Sequence, residues 1–444
     1  MGIEMTKKMM LFFLFFSGLF IALSILLYIN VPAIKAHLDV DSSGYLYNGL
    51  IFYEYGSFVK LGSQPYYALG YPFFIGLLYK IFGVNVSAVI LLQVVLALLC
   101  GFLLFIIAQR LFNRWVALVT FIFFSCNIGF LTFSQFILTE ILLAFLLILF
   151  FERFTAFIQN QDKLILGISG FILGASIIVK PAALYYLFFL IPAIVLLTQG
   201  LLRCKFHAAL VFSLCFYIPI LGYMTHNMVT FGNFKTGTLK EVNICYWLFP
   251  NMLAHANQTN SDIEREKLQR MPSQKHVMQY FKEFSKQHPL TLVYVWLKNV
   301  FKTWVGLFTT NLKVLIDPHV SGGQISYFKM SGSFLQKAFN YATEGTTILW
   351  LKIVGFLETL WSIIRLLLVL TTLFFLLMHK KFALLYIISS YLFYFSMITG
   401  HDGCARFRMM FEFLLIILAA AGLWILLNRS LSSTQLFMAN KQNK

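Results

Sequence analysis

Two carboxylates two residues apart, Asp39 and Asp41, lie in His37-Leu-Asp39-Val-Asp41-Ser-Ser-Gly-Tyr45, directly after the first membrane-length apolar run. In an extended segment, residues two apart face the same way. One acid of such a pair can act as general base toward an acceptor hydroxyl while the other orients it or binds a cation. On a helical start the two diverge, and Asp41 would instead cap a helix beginning near Ser42. Glu140 opens a later apolar run, where an ionisable group is either a buried, hydrogen-bonded structural acid or part of a site. Lys180 ends another run, and Arg406 and Arg408 precede the last one. Guanidinium binds phosphate oxygens bidentately; the competing reading of all three cations is snorkelling to lipid headgroups. His401-Asp402 is a loop turn or a substrate contact, and His226 is a structural hydrogen-bonder or a base.

The elements that must position these groups are hydrophobic. Of 444 residues, 59% are hydrophobic, 18% aromatic and only 11% charged. A soluble domain of that length needs more polar surface. Repeated apolar runs near span length define an all-α polytopic membrane protein; the short alternating segments of a β-barrel are missing. The net charge of +17 fits basic loops and anionic lipid, and without a soluble basic domain it excludes a nucleic-acid partner. None of the six cysteines forms a CxxC pair, and only Cys245 and Cys404 are placed to meet outside the membrane.

About ten spans are expected: Leu11–Asn30, Val86–Ala108, Trp115–Phe133, Ile137–Phe154, Leu164–Val179, Ala182–Thr198, His207–Asn227, Val354–Met378, Ala383–Ile398 and Met409–Leu427. Lys7 and Lys8 precede the first run, which reads as a retained anchor. The first outer loop, 31–85, is expected to hold an amphipathic helix over Tyr45–Glu54, a break at Gly70-Tyr71-Pro72 and a second interfacial helix over Phe73–Phe82. The chain divides into an N-terminal transmembrane module (1–228), an outer-face region (229–352), C-terminal spans (353–428) and a cytoplasmic tail (429–444). Within the outer region, Asn257–Gln287 reads as a soluble helical insert and Leu290–Leu312 as an interfacial helix, with a further span as the alternative. Arg110 with Arg114, Arg153 with Lys163, Arg203 with Lys205, and Lys380 with Lys381 mark cytoplasmic turns, which puts Asp39, Asp41, Glu140, Lys180 and 401–408 on the outer face.

Several short motifs then fall in a recognisable order. Asp41-Ser-Ser-Gly-Tyr45, Gly49, Tyr55-Gly56 and Tyr67-Ala-Leu-Gly70-Tyr71-Pro72 resemble the first outer loop of GT-C glycosyltransferases, the group of protein mannosyltransferase and aminoarabinose transferase relatives. Thr139-Glu140 is similar to that group's second acidic position and Lys180-Pro181 to its basic-Pro pair. His226-Asn227 with Phe231-Gly232-Asn-Phe234 resembles the element before its large loop, and Arg406-Phe-Arg408 with Ala419-Ala-Ala-Gly422 its C-terminal end. The resemblance implies a polyprenyl-phosphate sugar donor and an inverting transfer to an acceptor hydroxyl at the outer leaflet. Asp41 would be the base, with Asp39 as the nearby alternative and Glu140 assisting. Lys180, Arg406 and Arg408 would bind the donor phosphate, and Tyr45, His226, Asn227 and His401 the substrates. The acceptor is a glycan, lipid or protein, in contact with membrane lipids, and the location a plasma (inner) membrane with the site facing the periplasm or exterior. Asp39, Asp41 and Glu140 could hold a divalent cation, though nothing requires one. Two other functions use the same groups: a transporter or flippase of a lipid-linked glycan, which needs no base, and a lipid-linked glycan polymerase or ligase.

Overall fold

The computed structural model describes residues 7–32, 37–39, 41–317 and 332–428; the expected cytoplasmic tail lies outside these. Every element among the described residues is a helix. Among the described residues, six helices are long and apolar enough to cross a membrane. The chain opens with α1 (Lys7–Asn30), whose run of Leu, Ile and Phe carries no charge after Lys8 and leaves most of its surface for lipid. Then come α2 (Ser42–Tyr55) and α3 (Gly70–Phe82), packed as a close pair: at Gly49 a Cβ would strike Ile75, and at Gly76 it would strike Phe52. Gly56, at φ 67°, ends α2 in the left-handed conformation that favours glycine. Gly70-Tyr71-Pro72 does not break the chain ahead of the second helix but forms its first turn, where a missing N–H costs nothing.

The bundle proper follows with α4 (Val86–Leu111), α5 (Arg114–Ser125), α6 (Ile128–Phe133), α7 (Glu140–Asn160), α8 (Lys163–Val179), α9 (Leu187–Leu197) and α10 (Leu202–Phe231). Asn85, Asn113, Asn127 and Asp162 each accept a backbone N–H at a helix start. The cap at Asn127 divides the expected span Trp115–Phe133 into α5 and α6. The expected start of the next span at Ile137 is also corrected: helix begins only at Glu140. The intervening backbone is held instead by Gln93, whose amide donates to Phe136 O (2.8 Å) and Ser134 O (3.2 Å). Non-helical backbone inside a bundle is tolerated when protein groups satisfy it in this way. Gly170 and Gly174 leave no room for a Cβ against Phe212 O and Phe216 O, so α8 and α10 touch backbone to backbone.

Beyond α10 lie α11 (Leu239–Asn243), a π turn at Ile244–Leu248, α12 (Phe249–Asn257), α13 (Ser261–Gln269) and α14 (Gln274–Gln287). They build a small core of their own around Phe249, Met252, Leu268 and Val277, so the helical insert is larger than its polar stretch suggests. The expected interfacial helix is two: α15 (Pro289–Val305) and α16 (Thr309–Ile316), separated by a turn at Gly306. The chain closes with α17 (Phe334–Thr343), α18 (Leu349–Met378), α19 (Phe382–Met397), α20 (Ala405–Arg408) and α21 (Glu412–Leu427). The stripe Ala419-Ala-Ala-Gly422 is buried, and at Gly422 a Cβ would strike Leu368 of α18. Four expected spans are thus shorter apolar helices: α5, α8, α9 and α21.

Candidate active site

The first loop is docked on the non-helical stretch before α7. The backbone of His37 accepts Ile137 N–H (3.0 Å), and its ring Nδ1 donates to Gln135 O (2.8 Å). Ser42, fully buried, donates to Ile137 O (2.9 Å) and accepts Asp39 N–H (2.8 Å). One stretch therefore receives the loop that carries Asp39 and Asp41 and then delivers Glu140. Asp41 stands at the N-cap of α2 but makes no capping bond. Its carboxylate is directed elsewhere, which sets aside the capping alternative.

Arg406 meets all three acids. Its Nε donates to Glu140 Oε1 (2.6 Å), one terminal nitrogen to Asp39 Oδ2 (3.3 Å) and the other to Asp41 Oδ2 (3.1 Å). Lys180 Nζ reaches the same Glu140 oxygen at 3.2 Å and lies 4.9 Å from the centre of the Phe407 ring. Glu140 is buried, with 2% of its side chain exposed, whereas Asp39 and Asp41 keep 37% and 30%. Burial alone would depress the Arg406 guanidinium; Glu140 and Asp41, with smaller help from Tyr45 and Asp39, more than offset it and hold the group charged, well above its ordinary range. Five residues from four distant parts of the sequence, Asp39, Asp41, Glu140, Lys180 and Arg406, thus form one cluster with a formal charge of three acids against two cations.

α15 supports the turn that brings Arg406 in. Asn299 donates to Gly400 O (3.0 Å), Thr303 to Thr399 (3.0 Å) and Trp304 to Ser396 (2.9 Å), while Trp296 packs on Gly400. His401 bonds Ile398 O (2.9 Å) and lies 5.0 Å from Phe407, the ring that Lys180 also covers. Tyr45 is buried against Tyr67 (4.8 Å) and Tyr71 (5.2 Å); burial first, then Asp41, raises its phenol, so it stays protonated.

Arg408 is not brought to this cluster. Residues two apart in a helical turn point about 200° apart, and Arg408 is wholly buried on the opposite side. It donates to Glu412 (2.9 Å), Trp304 O (3.0 Å) and Gly306 O (2.5 Å), with Glu358 at 3.7 Å. Arg365 (2.6 Å) and Asn127 (2.9 Å) complete the bonds to Glu412. The spacing of Arg408 and Glu412, four apart, and of Glu358 and Arg365, seven apart, was the available signal for this second network. Asn227 is also buried, and its amide donates to Lys235 O (2.7 Å), folding the chain after α10 back on itself. His226 lies beside it between Phe58 and Phe231.

A residue absent from the sequence-level candidates, Tyr66, donates to Asp41 Oδ1 (3.4 Å). Among the described residues no group of three His, Cys, Asp or Glu has metal-holding geometry; Arg406 sits between the three carboxylates that would have supplied one. All six cysteines are free, so Cys245 and Cys404 are not bridged.

Fold and site together define a multi-pass, all-α membrane protein with an acid–base cluster at one end of its bundle. Residues 64–223 match the family model described as dolichyl-phosphate-mannose-protein mannosyltransferase. The matched stretch, 160 of the 444 residues, is similar to that family, and the likeness supports a membrane glycosyltransferase. The stretch includes Tyr66, Glu140 and Lys180 but not Asp39, Asp41 or Arg406. No curated protein matches the chain.

Proposed function

We propose that this chain transfers a sugar from a polyprenyl-phosphate donor to an acceptor hydroxyl by a single, inverting displacement at the face that carries Asp41. The observation that carries the reading is the Arg406 guanidinium bridging Asp39, Asp41 and Glu140, with Lys180 on the same glutamate. The carboxylates engage three of the five N–H donors that a guanidinium offers. The remaining two, and the ammonium of Lys180, can meet phosphate oxygens.

In the reaction, the acceptor oxygen attacks the anomeric carbon and the bond from that carbon to the phosphate oxygen breaks. The electron pair leaves on the phosphate, and the acceptor proton passes to Asp41. Negative charge grows on the phosphate while Asp41 loses its own, so the total charge facing Arg406 is unchanged. Preorganised cations at a charge-developing oxygen are worth about 3–4 kcal/mol by comparison with oxyanion-hole donors. Asp39 and Glu140 hold Arg406 in place from two sides. Arg408, buried elsewhere, is left out of donor binding. His401 packs on Phe407 beside Lys180, and Asn227 acts by shaping the chain after α10.

The distribution of basic residues supports one side of the membrane for the site. Arg110, Glu152 and Arg153 are linked to one another, Arg114 lies beside Met9 near the start of α1, and all stand at the span ends opposite to Asp41. Basic residues favour the cytoplasm, which supports a site on the opposite, outer face.

The test is turnover by the purified protein in lipid nanodiscs, offered polyprenyl-phosphate mannose, glucose and galactose carrying labelled sugar, with a membrane extract as acceptor. Transfer with release of polyprenyl phosphate is expected. Movement of intact donor between leaflets without transfer would contradict the proposal and identify a flippase; joining of donor glycans to one another would identify a polymerase.

A further inference from the structure

Asp41 has two differently occupied oxygens. Oδ2 faces Arg406 (3.1 Å), on the side assigned to the donor, and Oδ1 receives the Tyr66 hydroxyl (3.4 Å). Tyr66 keeps 39% of its surface exposed in a site whose other tyrosines, Tyr45, Tyr67 and Tyr71, are buried. It rests edge-to-face on Tyr67 at 4.8 Å.

The backbone of Tyr66 is fixed from a distant part of the chain. Thr238 N–H donates to Tyr66 O (3.1 Å), and Gln64 donates to Lys235 O (3.1 Å). A Cβ at Gly237 would approach Tyr66 O to 2.9 Å. Asn227 holds Lys235 O at 2.7 Å from the end of α10. A strap over 233–238 therefore fixes the backbone of the tyrosine whose hydroxyl meets the acid. An exposed aromatic ring that needed only to fill space would not be pinned at its backbone while its hydroxyl addresses Asp41.

Resting on the transferase reading above, we propose that Tyr66 and the strap over 233–238 form the acceptor subsite, and that the acceptor is a saccharide. A sugar ring offers a flat face of C–H groups, which the amphipathic tyrosine ring can cover while its polar edge takes a hydroxyl. The acceptor hydroxyl takes the place of the Tyr66 hydroxyl at Asp41 Oδ1. Attack then proceeds from the side opposite to Arg406 and the phosphate, as an in-line displacement requires. No covalent change occurs on Tyr66 itself. Burial and the nearby Asp41 raise its phenol, so the hydroxyl keeps the proton it lends.

Two measurements test this. The first needs no turnover: saturation-transfer NMR of methyl glycosides of glucose, galactose, mannose and N-acetylglucosamine against the protein in nanodiscs. At least one glycoside should receive saturation on its ring C–H protons, and Tyr66→Ala should abolish it while Tyr66→Phe retains it. The second is kinetic. With a glycoside or glycolipid acceptor, Tyr66→Ala should raise the acceptor KM about tenfold and leave the donor KM unchanged. Saccharide binding without transfer would refute the transferase reading and leave the subsite standing. Transfer with an acceptor KM indifferent to Tyr66→Ala, or transfer to a serine/threonine peptide and to no glycoside, would overturn the subsite.

Discussion

Replacing Arg408 with Met should damage the protein without touching donor binding. The guanidinium supplies hydrogen bonds to Glu412 at 2.9 Å, Gly306 O at 2.5 Å and Trp304 O at 3.0 Å, from a side chain with no exposure. Glu358 lies 3.7 Å away and accepts the N–H groups of Phe308 and Thr309 at 2.8 Å each. Two arginines and two glutamates balance in this network; Arg408→Met leaves it one positive charge short and strands two carbonyls. Breaking a buried pair costs about 3–5 kcal/mol, and an unsatisfied buried carbonyl about 1–3 kcal/mol. These terms overlap, so the loss is set at about 4 kcal/mol, a melting decrease of about 4 °C for a chain of this length. The assay is thermal unfolding in detergent, followed by donor KM measured well below the lower transition. The folded variant should keep its donor KM within about twofold. Wild-type melting combined with a donor KM raised tenfold or more would refute the reasoning and return Arg408 to the phosphate site.

Glu140→Gln removes the charge shared by Arg406 and Lys180; with charge-assisted bonds worth about 1.5–3 kcal/mol, kcat/KM for transfer should fall about 100-fold, read with labelled donor at matched melting temperature. Ser42→Ala loses both the bond to Ile137 O and the acceptor for Asp39 N–H; kcat should fall about tenfold with the donor KM preserved, and an unchanged kcat would show that this docking does not place the acids. Because Arg406 and Lys180 already meet the carboxylates, transfer should survive chelation; activity lost in EDTA and restored by magnesium or manganese would show that a cation displaces Arg406.

The apolar runs were legible because span-length stretches of Leu, Ile and Phe have few alternatives. Their ends were not, since single capping groups set them. Asn127 divides one expected span while also bonding Glu412, a partner far away in the chain. The acids, Lys180 and Arg406 were legible as unusual charges at span ends. Arg408 falls away from the cluster because two residues of a helical turn face opposite ways, which adjacency in sequence does not reveal. Tyr66 carried no signal at all: its meaning comes from the strap over 233–238, and the contact between Thr238 and Tyr66 depends on how α10 ends at Gly232, with φ 71°. The second ionic network was visible only as periodicity in Glu358, Arg365, Arg408 and Glu412.

The most direct measurement is single-turnover transfer by wild-type protein and Asp41→Asn, using whichever labelled polyprenyl-phosphate sugar the wild type accepts, with donor binding measured on the same samples. Asp41→Asn should bind donor and transfer essentially no sugar, a loss of at least about 100-fold, in keeping with removal of a general base. Transfer at the wild-type rate would contradict Asp41 as the base.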